Sequence, residues 1–180
     1  MTFDNWVPRD DVMEVFAGAK AFAEAETEWK WLVMTGSLGW GKTHLAIAVL
    51  NYHLEHPGSG PVGKYVRAPQ FLDDLKAGFD TGEAKMALYQ QVPLLLLDDL
   101  GTEYRKRNDD GQSWAEDRLY ELVGHRYIHR LPTIITSNTH VQKLDPRLLD
   151  RIRDTGTGLC RVYSKTVPSY RTGEIVEASW

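Results

Sequence analysis

This sequence has little cysteine, no long apolar run and no excess of basic residues. Its 180 residues include one cysteine, Cys160, so no disulfide can form within the chain and no cysteine cluster offers a metal site. The longest apolar run, residues 92–97, is too short to cross a membrane. The formal net charge is −4, which argues against a generally basic nucleic-acid-binding protein.

Residues 1–9 contain neither a basic head nor an apolar run, so no secretory signal is visible and we expect a cytoplasmic protein without membrane contact. The composition, 42% hydrophobic and 26% charged, is that of a globular protein rather than a disordered one. A length of 180 residues fits one domain, 1–180, and leaves little room for a second.

Short apolar runs alternate along the chain with segments of helical periodicity. Strands are predicted at residues 31–35, 62–67, 93–98, 132–136 and 159–164. Helices are predicted at residues 11–28, 43–56, 69–79, 83–91, 113–130 and 144–154. The run at 93–98 is apolar at successive positions, as a strand covered by helices on both faces requires. The pattern predicts an α/β fold of three layers, α/β/α, around a mostly parallel five-stranded sheet.

A glycine-rich segment, Gly-Ser-Leu-Gly-Trp-Gly-Lys-Thr at residues 36–43, follows the first predicted strand and opens the next helix. It matches the phosphate-loop pattern G-x-x-x-x-G-K-[ST] in the context that this motif requires. Glycines let the backbone curl so that its N–H groups converge on phosphate oxygens, and the amino end of the helix adds a partial positive charge. We expect Lys42 to reach the β- and γ-phosphates and Thr43 to bind Mg²⁺.

The residues assigned to the nucleotide in this segment are Gly36, Ser37, Leu38, Gly39, Trp40, Gly41, Lys42, Thr43 and His44. Trp40 is unusual, because a small or β-branched residue is common at its position. Since the loop binds phosphate through its backbone, an outward Trp40 side chain is tolerable there, and in that orientation it could alter access of the nucleotide.

Polar residues follow two of the predicted strands, and ligands of open α/β sheets bind at such strand ends. Asp98 is placed to hold Mg²⁺, and Asp99 to orient or deprotonate the attacking water. Because aspartate is one methylene shorter than glutamate, we expect slow intrinsic hydrolysis, and a turnover that falls in Asp99→Glu would contradict this. Asn138, after the strand at 132–136, either contacts the γ-phosphate or the lytic water, or caps a turn.

Two further groups of basic residues have open interpretations. Arg147 and Arg151 are four residues apart and share a helix face, where each is either solvated or an arginine finger that reaches the γ-phosphate of a neighbouring subunit. In the polar stretch 101–112, three consecutive basic residues at 105–107 suit single-stranded DNA. Three acidic residues in the same stretch cancel their charge, so DNA contact and a solvated loop are equally open.

Several motifs together resemble the AAA+ ATPase domain of the DnaC/DnaI-type replicative helicase loaders, the IstB/DnaC-like ATPases. They are the segments at 36–46, 94–101 and 132–138, supported by Thr-Phe-Asp-Asn-Trp at 2–6, His-Arg-Tyr at 125–127, Arg-Leu-Leu-Asp-Arg at 147–151 and Ser-Tyr-Arg at 169–171. The resemblance covers nearly the whole chain, and the combination is much more specific than the phosphate loop alone.

The resemblance implies a P-loop NTPase fold of the AAA+/ASCE type that binds ATP or ADP with Mg²⁺ and hydrolyses ATP. Lys42 and Thr43 would belong to the Walker A motif, Asp98 and Asp99 to the Walker B motif. Asn138 would be the sensor 1 residue, and Arg151 the arginine finger, with Arg147 as the alternative. Arg171 would act near the nucleotide or at a subunit boundary. Phe3 and Asn5 would lie near the adenine.

The family also implies partners: a hexameric replicative helicase, single-stranded DNA and further copies of the chain, in an oligomer or filament. Hydrolysis is expected to be slow and stimulated by assembly or DNA. Because the family-like segment begins at residue 2, we expect the N-terminal helicase-binding region of such loaders to be absent from this chain. A C-terminal helical lid is likewise not expected.

Three other functions are consistent with parts of the pattern. An IstB-type transposition helper shares most of the motifs, but its acidic strand usually ends Asp-Glu, so the Asp-Asp at 98–99 favours the loaders. A regulatory module that binds ATP without hydrolysing it is the second alternative. A metabolic kinase is less favoured, because no site for an acceptor substrate is evident.

Overall fold

The computed structural model describes residues 1–56, 63–76, 79–101, 114–138 and 144–176. The strands are β1 (Trp31–Gly36), β2 (Gly63–Arg67), β3 (Leu94–Asp98), β4 (Thr133–Thr136) and β5 (Cys160–Lys165). The helices are α1 (Met13–Ala23), α2 (Lys42–Glu55), α3 (Ala68–Lys76), α4 (Phe79–Gln91), α5 (Trp114–Ile128) and α6 (Pro146–Ile152). No helix in these ranges combines the length and apolarity that a membrane crossing requires.

The five strands form one parallel sheet in the order β2-β3-β4-β1-β5. The strand that precedes the phosphate loop, β1, is buried along its whole length between β4 and β5. Because all strands run in one direction, the carboxyl ends of β1, β3 and β4 meet at the same edge. The phosphate loop, the paired aspartates and the residues after β4 therefore all lie at that edge.

Each face of the sheet has its own hydrophobic core. Leu95 and Leu97 of β3 pack with residues of α3 to α6, while Leu94 and Leu96 pack with residues of α1 and α2. Successive residues of one strand thus enter opposite cores, as the run at 93–98 predicted. The predicted three-layer α/β/α architecture and the parallel five-stranded sheet are confirmed.

The helix predicted at 11–28 is wrong at both ends. Residues 10–12 form a 3-10 turn, and the α-helix covers only Met13–Ala23. Ala25 then takes a left-handed conformation with φ of 57°. A residue in that conformation ends a helix, so the chain can turn back toward β1.

Arg126 of α5 is a buried cation that ties three segments together at the edge of the sheet opposite the phosphate loop. Its guanidinium donates five hydrogen bonds, to Tyr89 O at 3.0 Å, Gln90 O at 3.1 Å, Val92 O at 2.8 Å, Pro132 O at 2.6 Å and Thr133 Oγ1 at 2.9 Å. Burial lowers the pKa of Arg126 to about 10. Its acceptors include carbonyls at the carboxyl end of α4, which lack partners within the helix and favour a cation.

We expect Arg126→Lys to lower the free energy of unfolding by at least about 2 kcal/mol. The lysine ammonium has three N–H donors on a single nitrogen and cannot reach all five acceptors, so buried carbonyl groups would lose their hydrogen-bond partners. Denaturant unfolding followed by circular dichroism measures the change. Arg153→Lys is the matched control, since Arg153 is exposed just after α6. Equal stability of the two variants would contradict this assignment of Arg126.

Candidate nucleotide-binding site

The segment between β1 and α2 curls through three glycines in the left-handed region. The φ angles are 112° at Gly36, 77° at Gly39 and 102° at Gly41, which directly precedes α2. A side chain at Gly39 would place its Cβ 2.1 Å from Ser169 Oγ, and one at Gly41 would place it 2.3 Å from the Trp6 ring. The loop therefore requires glycine for its conformation and also for the close approach of residues from both ends of the chain.

Lys42 occupies the start of α2 with its side chain folded back onto the loop. Its Nζ donates to Gly36 O at 3.1 Å and to Ser37 O at 2.6 Å, and the residue is buried. Burial lowers the pKa of Lys42 to about 8, opposed by the nearby carboxylates of Asp99 and Asp98. The ammonium thus has loop carbonyls as its partners and lines the same cleft as the two aspartates.

Trp40 does not take the outward orientation that the sequence allows. Its side chain is fully buried in the core that contains α1 and α2. Lys42 Nζ lies 5.2 Å from the centroid of the Trp40 ring. An indole is too large and apolar to be left at the loop surface when a core lies beneath, so Trp40 anchors the loop rather than covering the nucleotide entrance.

Asp98 at the end of β3 is a buried carboxylate held by three hydroxyl groups. Thr43 and Thr136 donate to its Oδ1, the former at 2.9 Å, and Tyr65 donates to its Oδ2 at 3.1 Å. Burial and the Asp98 charge raise the pKa of Tyr65 to about 12, which keeps that hydroxyl protonated as a donor. Thr43 Oγ1 and Asp98 Oδ1 belong to the two residues that are expected to hold magnesium.

The spacing of Thr43 and Asp98 fits a magnesium ion. Two oxygens that bind Mg²⁺ at about 2.1 Å at right angles are about 3.0 Å apart. Thr43 Oγ1 and Asp98 Oδ1 are separated by 2.9 Å. The two side chains therefore supply oxygen groups of the type that this ion prefers and would hold it at this edge of the sheet.

Asp99 follows β3 in a left-handed conformation, with φ of 59°. Its carboxylate accepts from Asn138 Nδ2 at 3.0 Å and from Arg67 Nη2 at 3.1 Å. The structure therefore brings Asp99 and Asn138 together, because β3 and β4 are neighbours in the sheet. Arg67 ends β2 opposite Asp98, and sequence reasoning missed it because nothing in the pattern placed β2 beside β3.

A cleft of about 710 Å³ lies at this edge of the sheet, and its volume is within the range of small-molecule sites. The residues predicted for the site that line it are Asn5, Leu38, Gly39, Gly41, Lys42, Thr43, His44, Asp98, Asp99, Asn138 and Arg171. The lining residues that were not predicted are Met1, Trp6, Val7, Ser169, Tyr170, Thr172 and Val176. All seven come from the two ends of the described chain, and Trp6, Ser169 and Tyr170 belong to the motifs at 2–6 and 169–171 from which only Phe3, Asn5 and Arg171 were predicted for the site.

Other predicted residues lie away from the cleft wall. Phe3 packs edge-on against Phe16 at 5.7 Å and Tyr52 at 6.3 Å, and Trp6 rather than Phe3 lines the cleft. Ser37 is buried, with its Oγ donating to Val167 O at 2.7 Å. Arg147 and Arg151 are on α6 and do not line the cleft of their own chain.

A parallel sheet of this order, with a glycine-rich loop that joins β1 to the amino end of α2, defines the class of P-loop NTPase domains. Within that class, the family model of IstB-like ATP binding proteins matches residues 18–172, and the chain belongs to that family. It is an ATP-binding domain of the IstB/DnaC type.

Known proteins similar to the chain include helicase loaders. The replicative helicase loader DnaI of Bacillus subtilis (strain 168) is 33% identical over 112 residues, which are 61% of this chain and 33% of DnaI. A crystal structure of DnaI superimposes with a TM-score of 0.71 at 27% identity, covering 93% of this chain and 89% of that one. The crystal structure of the DnaC helicase loader gives 0.68 at 26% identity, with 91% and 95% covered.

The chain spans about two fifths or less of the length of the curated relatives it matches. The activity and partners of those whole proteins are therefore carried to this chain only as proposals below.

We expect nucleotide affinity to fall as the pH rises above 8. A triphosphate prefers the charged ammonium of Lys42, whose pKa in the free protein is about 8, below its ordinary 10.5. Above pH 8 binding must take up a proton, so Kd should rise by up to about tenfold per pH unit toward 10.5. Titration with a fluorescent ATP analogue between pH 7 and 9.5 measures it.

Lys42→Arg is the control for this titration, because a guanidinium stays charged across the whole range. Whatever its absolute affinity, its profile should be flatter than that of the unmodified protein. A flat profile for the unmodified protein would show that Lys42 does not titrate on binding.

Proposed function

We propose that this domain is a slow ATPase that works as a helicase loader in DNA replication. The observation that carries the proposal is one cleft that contains Lys42, Thr43, Asp98, Asp99 and Asn138. An ammonium, a hydroxyl–carboxylate pair and a second carboxylate beside an amide are the groups that phosphoryl transfer to water uses. The relationship to DnaI and DnaC supports the loader role.

Each group has a defined part in hydrolysis. Lys42 exchanges its loop carbonyls for phosphate oxygens, which the loop N–H groups also contact. Asp99 and Asn138 orient the attacking water, and Asp99 accepts its proton. Thr43 and Asp98 would hold magnesium, which neutralises charge on the phosphates.

Slow turnover agrees with the surroundings of Asp99. Its carboxylate is engaged by Arg67 and Asn138. The Asp99 side chain must exchange at least one of these contacts before it can bind water.

Assembly through a shared site is the second part of the proposal. Arg151 lies outside its own cleft and so can act only on the nucleotide of another subunit, as an arginine finger. Arg147, the alternative, is paired with Asp117 at 3.3 Å and with Asp145 at 3.2 Å, which makes it the weaker candidate.

We expect ATPase activity per subunit to rise with protein concentration, because a site completed by a neighbour exists only in the assembly. Arg151→Ala should bind nucleotide normally and lose this concentration dependence, whereas the control Arg153→Ala, altered at an exposed residue, should keep both. The assay is phosphate release with and without single-stranded DNA. Equal loss of binding and hydrolysis in Arg151→Ala would mean that Arg151 is structural.

The partners are proposed to be a replicative helicase and single-stranded DNA. The basic residues at 105–107 belong to the segment 102–113, which lies outside the described part of the chain, so their contact with DNA stays a prediction. DNA affinity that persists when all three residues become alanine would contradict it.

A binding experiment tests the protein partner. The immobilised chain should capture a purified replicative helicase and not a purified transposase. The reverse result would favour the transposition helper.

A further inference from the structure

Tyr120 of α5 contacts both arginines of α6. The guanidinium carbon of Arg151 lies 4.2 Å from the centroid of the Tyr120 ring, and that of Arg147 lies 4.7 Å from it. The Tyr120 hydroxyl also accepts a hydrogen bond from Arg151 Nη2 at 2.7 Å. A single ring therefore organises two cations that are one helical turn apart.

The two arginines differ in their counter-charges. Arg147 forms ion pairs with Asp117 and Asp145, at 3.3 Å and 3.2 Å. In the part of the chain that the structure describes, Arg151 has no carboxylate within 4.0 Å, and its Nη1 donates to the carbonyl of Arg147 at 3.2 Å. The charge of Arg151 is thus left unneutralised, which suits it to receive an anion.

The Arg151 guanidinium is also held in one orientation. Its Nε is buried without a hydrogen-bond partner in the described structure, and a Cβ built on Gly124 would be 3.8 Å from that atom. The side chain therefore lies across Gly124 with Tyr120 beside it. Each Nη atom uses one of its two N–H groups within the chain, which leaves one on each for an external acceptor.

We propose that Tyr120 is a positioning residue for Arg151. Its ring and hydroxyl hold the guanidinium in a fixed orientation without neutralising it, so that two N–H groups face a phosphate of the neighbouring subunit. A free arginine side chain loses rotamer entropy when it is ordered, and the contacts with Tyr120 impose that order before assembly. The inference rests on the proposed function of Arg151.

Mixed assemblies test the inference. A donor chain, Lys42→Ala, has a disabled cleft and an intact Arg151, and an acceptor chain, Arg151→Ala, has the reverse. Alone, each should be inactive. An equimolar mixture should recover about a quarter of the unmodified rate per subunit, because half of the clefts and half of the neighbours are intact.

Tyr120→Leu is then added to one chain at a time. In the donor it should lower the rate of the mixture by about tenfold or more, because Arg151 loses its orientation. In the acceptor, which has no Arg151 to position, it should leave the mixture at the reference rate. Tyr120→Phe in the donor keeps the ring and loses the hydroxyl, and should give a smaller loss of a few-fold.

The outcomes separate this inference from the function on which it rests. If the reference mixture of donor and acceptor is inactive, the shared site itself is wrong. If the mixture is active but Tyr120→Leu has the same effect in either chain, Tyr120 supports the fold or nothing at all, and the positioning role is overturned. A loss confined to the donor, graded from Tyr120→Phe to Tyr120→Leu, is the result that only positioning produces.

Discussion

The structure depends on the buried carboxylate of Asp98, which joins three elements of the fold. Hydroxyl groups reach it from Thr43 on α2, from Thr136 on β4 and from Tyr65 on β2. A buried carboxylate is costly unless several donors surround it, so these contacts fix the helix after the phosphate loop against the sheet. The residue proposed for magnesium is also the one that sets the geometry of the cleft.

The sequence was most informative where the chemistry is local. The segment at 36–43 predicted the loop, its flanking strand and its helix, because the motif specifies all three. The contact between Asp99 and Asn138 was not predicted, because the sequence placed each residue after a strand but did not show that those two strands are neighbours.

What escaped prediction depends on distant parts of the chain. Arg67 reaches Asp99 only because β2 lies beside β3, and Trp6 and Tyr170 line the cleft only because both chain ends fold over the loop. The burial of Trp40 was not predicted, because the pattern shows that the backbone binds phosphate but does not show which way the side chain turns. The role of Arg126 was not predicted, although it lies in the motif at 125–127, since its five acceptors are mostly backbone carbonyls.

The contact of both chain ends with the glycine-rich loop links what happens at the triphosphate to the periphery of the molecule. The Tyr170 N–H donates to Gly39 O at 3.0 Å, the Leu38 N–H donates to Val176 O at 2.7 Å, and the Trp6 ring covers Gly41. Any rearrangement of the loop therefore changes the positions of these contacting segments. A fluorophore or a neighbouring module joined to either segment would therefore move in step with occupancy of the cleft, without any dedicated hinge.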